Sequence, residues 1–308
     1  MAPVLRLGTR GSPLALTQAR QALARLAAAH PELAAPGAIE IVTVRTSGDR
    51  ITDRPLADIG GKSLFTKEIE EALLDRRIDL AVHSLKDMET VLPQGLEIAC
   101  CLPREDPRDA LVAGRGVRRI ADLAHGAIVG TSSVRRKAQL LAARPDLAVV
   151  PMRGNVGTRL RKLDAGECAA TVLAAAGLNR LGRSDAIAAL LDPADMLPAA
   201  GQGIIAIETR EIDLRVREYL AAIDDEAASR AAAAERAVLA ALGGTCRTPI
   251  AALATIAGTR MALAAMVIEP DGSAIWRAGR EGPAIDMRRI GEDAGAELRS
   301  RVRPGLFA

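Results

Sequence analysis

Short apolar runs recur along the first two thirds of the chain, each followed by a polar or glycine-rich break and a stretch with helical spacing. Val4–Leu7, Ile39–Val44, Ile78–Val82 and Leu96–Leu102 read as strands. Ser12-Pro13 supplies an N-cap and a proline at the first helical position, opening a helix that runs to about His30. Leu64, Ile69, Leu73 and Leu74 fall at helical spacing and predict an amphipathic helix over Ser63–Arg76. After Arg104-Glu105-Asp106-Pro107-Arg108-Asp109 the pattern restarts. Strands are expected at Ala110–Ala113, Ala127–Val129, Ala148–Met152 and Ala169–Ala174, with helices at about 133–143, 155–165 and 175–181. Strands alternating with helices point to parallel α/β sheets with right-handed crossovers. Gly203–Glu208 reads as one further strand, free to return to the first unit.

From about residue 222 the pattern changes. Asp224–Leu242 is an alanine-rich helix stopped by Gly243-Gly244. Strands at about 249–256, 261–268 and 274–278 follow, the last two joined by a turn at Pro270-Asp271-Gly272, and a final helix covers about 285–302. This is a small α+β domain with a three-stranded antiparallel sheet.

Composition narrows the function classes. At 308 residues the chain is long enough for about two domains at roughly 150 residues each, or three small ones. It is 49% hydrophobic and 26% charged, with a mean hydropathy of +0.13, which excludes a disordered chain, a collagen-like repeat and a coiled-coil rod. Aromatics are 1% of the residues, too few for a platform that stacks nucleic-acid bases, and a net charge of +3 is too balanced for a dedicated nucleic-acid binder. Only five of the 41 basic residues are lysine. Codon bias accounts for that, and arginine also suits two-pronged recognition of carboxylates and phosphates. Cys100, Cys101, Cys168 and Cys246 form no CxxC pair or Cys/His cluster, so no metal site is indicated. The N-terminus lacks an apolar signal segment and no apolar run approaches 18 residues, so a protein of the reducing cytoplasm, free of the membrane, is expected.

Three strand-to-helix junctions share one design: Gly8-Thr9-Arg10-Gly11-Ser12, Gly130-Thr131-Ser132-Ser133-Val134-Arg135-Arg136 and Arg153-Gly154-Asn155-Val156-Gly157-Thr158-Arg159. Each sets small residues, a hydroxyl or an arginine at a helix start, where unpaired N–H groups and the helix dipole favour an anion. One such junction is ordinarily just a cap; three together point to a polyanionic ligand, and none is a nucleotide motif. His83-Ser84-Leu85-Lys86-Asp87 delivers a cation and a carboxylate from a strand into a loop, and Gly60-Gly61-Lys62-Ser63 adds a second cation at a helix start. A surface ion pair would look the same. Cys246 sits on a loop, Gly243-Gly244-Thr245-Cys246-Arg247, near a cation that favours the thiolate, whereas the other three cysteines read as core.

Taken together these segments resemble the porphobilinogen deaminase (hydroxymethylbilane synthase) family. VLRLGTRGSPLAL (4–16), GGKSLFTKEIE (60–70), DLAVHSLKD (79–87), REDPRDA (104–110), GTSSVRRKAQL (130–140), RGNVGTRL (153–160), LPAAGQG (197–203) and GTCRTPI (244–250) occur in the family's order. The resemblance implies two lobes like those of periplasmic binding proteins plus the small C-terminal domain. Domain 1 would take residues 1–103 and 198–221, domain 2 residues 104–197, and domain 3 residues 222–308. It implies a transferase that condenses four porphobilinogen molecules head to tail, releasing four ammonia, into hydroxymethylbilane for haem and other tetrapyrroles. The chain would grow on a dipyrromethane primer joined through a thioether to Cys246. By position, Asp87 matches the catalytic aspartate. Ser84, Lys86, Thr131, Ser132, Ser133, Arg135 and Arg136 match cofactor contacts, and Arg10, Ser12, Lys62, Arg153 and Arg159 match substrate contacts. A cytoplasmic monomer is implied, whose partners are porphobilinogen and the growing polypyrrole, not nucleic acid or membrane. Asp58, Glu89 and Thr245 depart from the family's usual Lys, Pro and Gly. The competing reading is a non-catalytic binding protein for an organic polyanion, which would need neither Asp87 nor a looped Cys246.

Overall fold

The structure, a computed structural model, describes residues 4–50, 66–244, 248–303 and 306. In chain order the elements are β1 (Leu5–Arg10), α1 (Pro13–Ala29), β2 (Ile39–Val44), α2 (Ser47–Arg50), α3 (Lys67–Leu74), β3 (Leu80–Ser84) and β4 (Leu96–Cys101). There follow β5 (Asp109–Ala113), β6 (Ile128–Gly130), α4 (Val134–Ala143), β7 (Ala148–Val150), α5 (Val156–Asp164), β8 (Ala170–Ala174), α6 (Ala175–Arg180) and β9 (Ala189–Leu190). The chain closes with β10 (Ile205–Arg210), α7 (Leu214–Ala221), α8 (Glu226–Leu242), β11 (Ile250–Ala257), β12 (Arg260–Ile268), β13 (Ile275–Pro283) and α9 (Met287–Arg301). Two compact units result. The first holds the described residues up to Arg104 together with Ile204–Ser229; the second holds Glu105–Gly203 together with those from Arg230 onward.

In the first unit five strands lie in the order β2-β1-β3-β10-β4. β1 runs parallel to β2 and β3, as the intervening helices require, and β10 runs antiparallel to β3 and β4. The purely parallel sheet expected from the alternation is therefore corrected to a mixed one. A strand that enters after a long excursion is not joined by a β-α-β crossover, so the rule that enforces parallel neighbours does not act on it. The sequence pattern does bring the strand after Gly203 back to this sheet. Leu5, Leu7, Ala19, Leu26, Leu80 and Ile207 are among the buried residues of its core, in which α1 packs its apolar stripe on the sheet.

The second unit repeats this order as β7-β6-β8-β5-β9, with β6 parallel to β7 and β8, and β5 antiparallel to β8 and β9. It also carries the three-stranded antiparallel sheet β11-β12-β13. Val238 and Leu242 of α8 and Ile290 and Leu298 of α9 share a buried cluster with Leu263 and Val267 of that sheet. The α/β class and the small C-terminal α+β part are as the sequence pattern anticipates, and the two lobes are as the resemblance implies.

Boundaries and omissions follow physical lines. β1 continues through Gly8 and Thr9 to Arg10, because pairing with Val42, Thr43 and Val44 of β2 holds these residues extended. β13 extends to Pro283 rather than about 278, paired along its length with β12. α3 is described only from Lys67, so Leu64 lies outside the described residues. Leu74 is 47% exposed, since adjacent Leu73 and Leu74 diverge by about 100° on a helix and only Leu73 faces the core. The sequence pattern does not predict α7: eight residues, little more than two turns, with only Val216 and Leu220 buried give too little periodicity to register. No helix among the described residues is long and apolar enough to cross a membrane.

Candidate functional site

In the first unit, β1 and β3 end side by side at the same edge of the sheet. Ser12 caps α1, accepting a hydrogen bond from Ala15 N–H at 3.2 Å, as the Ser-Pro pair predicts. β3 passes into a single 3-10 turn, Leu85–Asp87. That turn is pinned from below: Leu85 is 2% exposed and its N–H donates to Ile204 O, while Met88 N–H donates to Leu85 O. With its neighbours anchored, Lys86 is half-buried and Asp87 stands exposed. Ser84 meets the buried amide of Gln18 of α1, whose Nε2 donates to the hydroxyl at 2.8 Å. Arg10, Ser12, Gln18, His83, Ser84 and Asp87 border one cavity of about 50 Å³. The structure thus brings together four of the expected site residues around this cavity, Arg10, Ser12, Ser84 and Asp87, with Lys86 beside Asp87 in the same turn. Lys62 lies outside the described residues.

In the second unit the β6–α4 junction is built as a helix start. Ser133 caps α4 by accepting from Arg136 N–H, and Thr131 Oγ1 accepts from Ser133 N–H at 3.2 Å. Arg135 and Arg136 are not exposed on this first turn; both are buried and converge on Asp109 at the start of β5. Arg135 Nη1 donates to Asp109 Oδ2 at 2.7 Å and to Leu197 O at 2.7 Å. Arg136 donates to Asp109 Oδ1 through Nε at 3.0 Å and Nη2 at 2.7 Å. Gln202 Nε2 adds a bond to the same oxygen at 3.0 Å. Burial alone would raise the Asp109 carboxyl, but the two guanidinium charges outweigh it and hold the group far below the usual carboxylate range. Burial pushes Arg135 down, with the Asp109 charge opposing it.

Two positive charges share one negative charge there, so a net positive charge stays buried. Arg135 Nε and the Ser132 hydroxyl are buried without a hydrogen-bond partner. Such orphaned donors are rare in a folded chain. At the third junction Asn155 caps α5, and the half-buried Arg159 sends Nε to Gly154 O at 2.9 Å, with Arg153 half-buried in the loop before the cap. Cys246 lies outside the described residues. Cys100, Cys101 and Cys168 are buried, and burial raises the Cys100 and Cys168 thiols, which suits core residues and not nucleophiles.

Sequence reasoning did not single out Asp109, Gln202, Gln18 or Glu208. Asp109 and Gln202 stand within the quoted segments REDPRDA and LPAAGQG, so their neighbourhood was marked although their role was not. Gln18 and Glu208 sit in a helix and a strand with no motif at all. Only the register of β10 against β3 reveals Glu208: Ala206 lies opposite His83, and Glu208 is two residues on, sharing its face.

Comparison with known proteins adds a separate line of evidence. A family model described as porphobilinogen deaminase, dipyromethane cofactor binding domain, matches residues 5–218, and a second, porphobilinogen deaminase, C-terminal domain, matches residues 229–300. A porphobilinogen deaminase of Paracoccus denitrificans (strain Pd 1222) is 52% identical over 303 residues, covering 98% of this chain and 96% of that protein. One from Nitrobacter hamburgensis is 52% identical over 301 residues, covering 98% of this chain and 94% of that protein. Among solved structures, the Bordetella pertussis BvgS VFT2 domain aligns at TM-score 0.40 and 17% identity, over 71% of this chain and 84% of that one. Likeness of that size carries nothing about ligand or activity.

Proposed function

This chain belongs to the porphobilinogen deaminase family, and on that premise we propose which of its residues carry the family's reaction. The enzyme is a transferase of tetrapyrrole biosynthesis: it condenses four porphobilinogen molecules head to tail into hydroxymethylbilane with release of four ammonia, using a dipyrromethane cofactor. Asp87 is the catalytic carboxylate. Carbon–carbon bond formation between pyrroles puts positive charge on the rings and then expels a proton, and a fixed carboxylate stabilises the first and can accept the second. The observation that carries this reading is the Asp87 turn itself, an exposed carboxylate on a rigid loop whose neighbours Leu85 and Met88 are buried.

Each pyrrole carries acetate and propionate groups, so substrate, cofactor and product are polyanions. Arg10, Ser12, Lys62, Arg153 and Arg159 bind the substrate carboxylates. Ser84, Lys86, Thr131, Ser132, Ser133, Arg135 and Arg136 hold the cofactor, an assignment supported by the excess positive charge at the α4 start, where two arginines share Asp109. When bound through a thioether to Cys246, the dipyrromethane supplies an anchored pyrrole end from which the product extends, making each addition effectively intramolecular. Three domains, 1–103 with 198–221, 104–197 and 222–308, divide these tasks, with Cys246 in the third. The enzyme works as a cytoplasmic monomer. Asp87→Asn tests the assignment. It should keep the fold and the bound cofactor while ammonia release and product formation fall by ~10²-fold or more. Near-normal turnover in that variant would remove Asp87 from the chemistry.

A further inference from the structure

Beside the cavity that Asp87 borders lie three titratable side chains with few hydrogen bonds. His83 and Glu208 are 4% and 0% exposed, and the ring Nε2 stands 3.2 Å from Glu208 Oε2. Neither that nitrogen nor either Glu208 oxygen has a well-aligned hydrogen-bond partner. Glu70 of α3 is buried close by, and burial pushes its carboxyl up. A core has no structural need of such groups: apolar residues of similar size pack there at lower cost. His83 stands within ion-pairing distance of Glu208. A ring carrying its proton on Nε2 would donate it to the Glu208 carboxylate. His83 also borders the cavity shared with Asp87. At about 50 Å³ that cavity can hold a bridging water.

We propose that Glu208 holds His83 as a proton-handling group that acts through Asp87 and receives the proton expelled in each condensation. The inference rests on the reading of Asp87 given above. Each addition breaks the carbon–nitrogen bond of one aminomethyl group, releases ammonia, forms one carbon–carbon bond and expels one proton from a pyrrole carbon. Asp87 accepts that proton. Passing it on to His83 regenerates the Asp87 carboxylate and leaves an imidazolium neutralised by Glu208. The proton then returns through Asp87 to ammonia or solvent, so both groups are restored and no further reactant is consumed. His83 and Glu208 are positioning residues in this scheme. The charged groups facing them are Arg10 from β1, Glu70 from α3, and Asp87 and Glu89 from the segment after β3; α1 contributes the uncharged Gln18.

The test uses the cofactor-loaded enzyme with His83→Gln and Glu208→Gln, checked for folding by circular dichroism. Both variants should lower kcat for ammonia release on the order of tenfold or more with little change in KM, and His83→Gln should erase one inflection of the kcat–pH profile. A second readout needs no turnover. The chain has three histidines, so imidazole 15N signals can be assigned by the one lost in His83→Gln. In the wild type, Nε2 of His83 should carry a proton; in Glu208→Gln that signature should change. An unaltered pH profile in both variants, an Nε2 without its proton in the wild type, or a rate loss no larger than the loss of folded protein would overturn the proposal. An active Asp87→Asn enzyme would instead sink the Asp87 reading. An inactive Asp87→Asn beside a His83→Gln enzyme of normal rate and pH profile would sink the relay alone.

Discussion

Asp109 shows how much a single buried carboxylate can hold. It accepts hydrogen bonds from Arg135, Arg136 and Gln202 at 0% exposure. Asp109→Asn would leave two guanidiniums buried without their counter-charge, a kind of change that costs about 3–5 kcal/mol. Urea midpoints of variant and parent measure it directly. The pH dependence has a definite sign. A carboxyl held below its unfolded value, ~3.9, stabilises fully above that pH and loses the contribution as pH falls toward the folded-state value. The parent should therefore weaken below about pH 4 with a slope part of which is missing in Asp109→Asn. Glu235 of α8 plays a comparable part: fully buried, it accepts from Gly201 N–H at 2.6 Å and Ala254 N–H at 2.7 Å. In Glu235→Gln the amide NH₂ would face one of these donors, so a loss of about 1–3 kcal/mol is expected in the same titration.

At the scale of elements, the turn between β12 and β13 is fitted to α4. Gly272 has φ +79°, and a Cβ there would lie 2.5 Å from Ala142 N and 2.8 Å from Ala138 O, backbone atoms of that helix. Helix backbone cannot step aside as a side chain can. Gly272→Ala should cost ~2 kcal/mol or more, combining left-handed strain with overpacking. Gly258, in the turn between β11 and β12, has φ +59° and open space around it, so Gly258→Ala should cost only ~1 kcal/mol. Thermal melts of the two variants separate the effects; equal losses would mean that the Gly272 contact with α4 does not matter. The cap Ser12 was visible in the sequence because an N-cap is a local device, and the structure adds Ser133 and Asn155 as caps of α4 and α5. The direction of β10 and the extension of β13 were not, because strand pairing joins residues far apart in the chain.

For the molecule as a whole, the mass is the most direct prediction. Enzyme from cells able to make porphobilinogen should exceed its sequence mass by two condensed pyrrole units. Peptide mapping should place the excess on Cys246, and Cys246→Ser should lack it. A fully active protein of unmodified mass would contradict the attachment. Because the cofactor binds the folded chain, the cofactor-free protein should also melt at a lower temperature than the loaded one. Arg135→Leu should narrow that difference if the α4 start holds the cofactor. Scanning calorimetry on the loaded and cofactor-free forms of both proteins would show it.

Periodicity, caps and glycine-rich junctions are local, and they determined most of the strands and helices, which faces are apolar, and which helix starts are candidates for an anion. The ordered series of motifs, from VLRLGTRGSPLAL to GTCRTPI, was likewise sufficient to point to the family. Spacing along a chain says which face a side chain is on, but not what it meets there. Arg135 and Arg136 read as free cations at a helix start, yet they turn inward because Asp109, 26 residues from Arg135 in sequence, sits at the adjacent strand end. Nothing along the chain links His83 to Glu208, which reaches it only because β10 returns to the first sheet in antiparallel register. The tertiary structure decided these pairings, since burial removes water and each charge must then find its counter-charge wherever the fold has brought one.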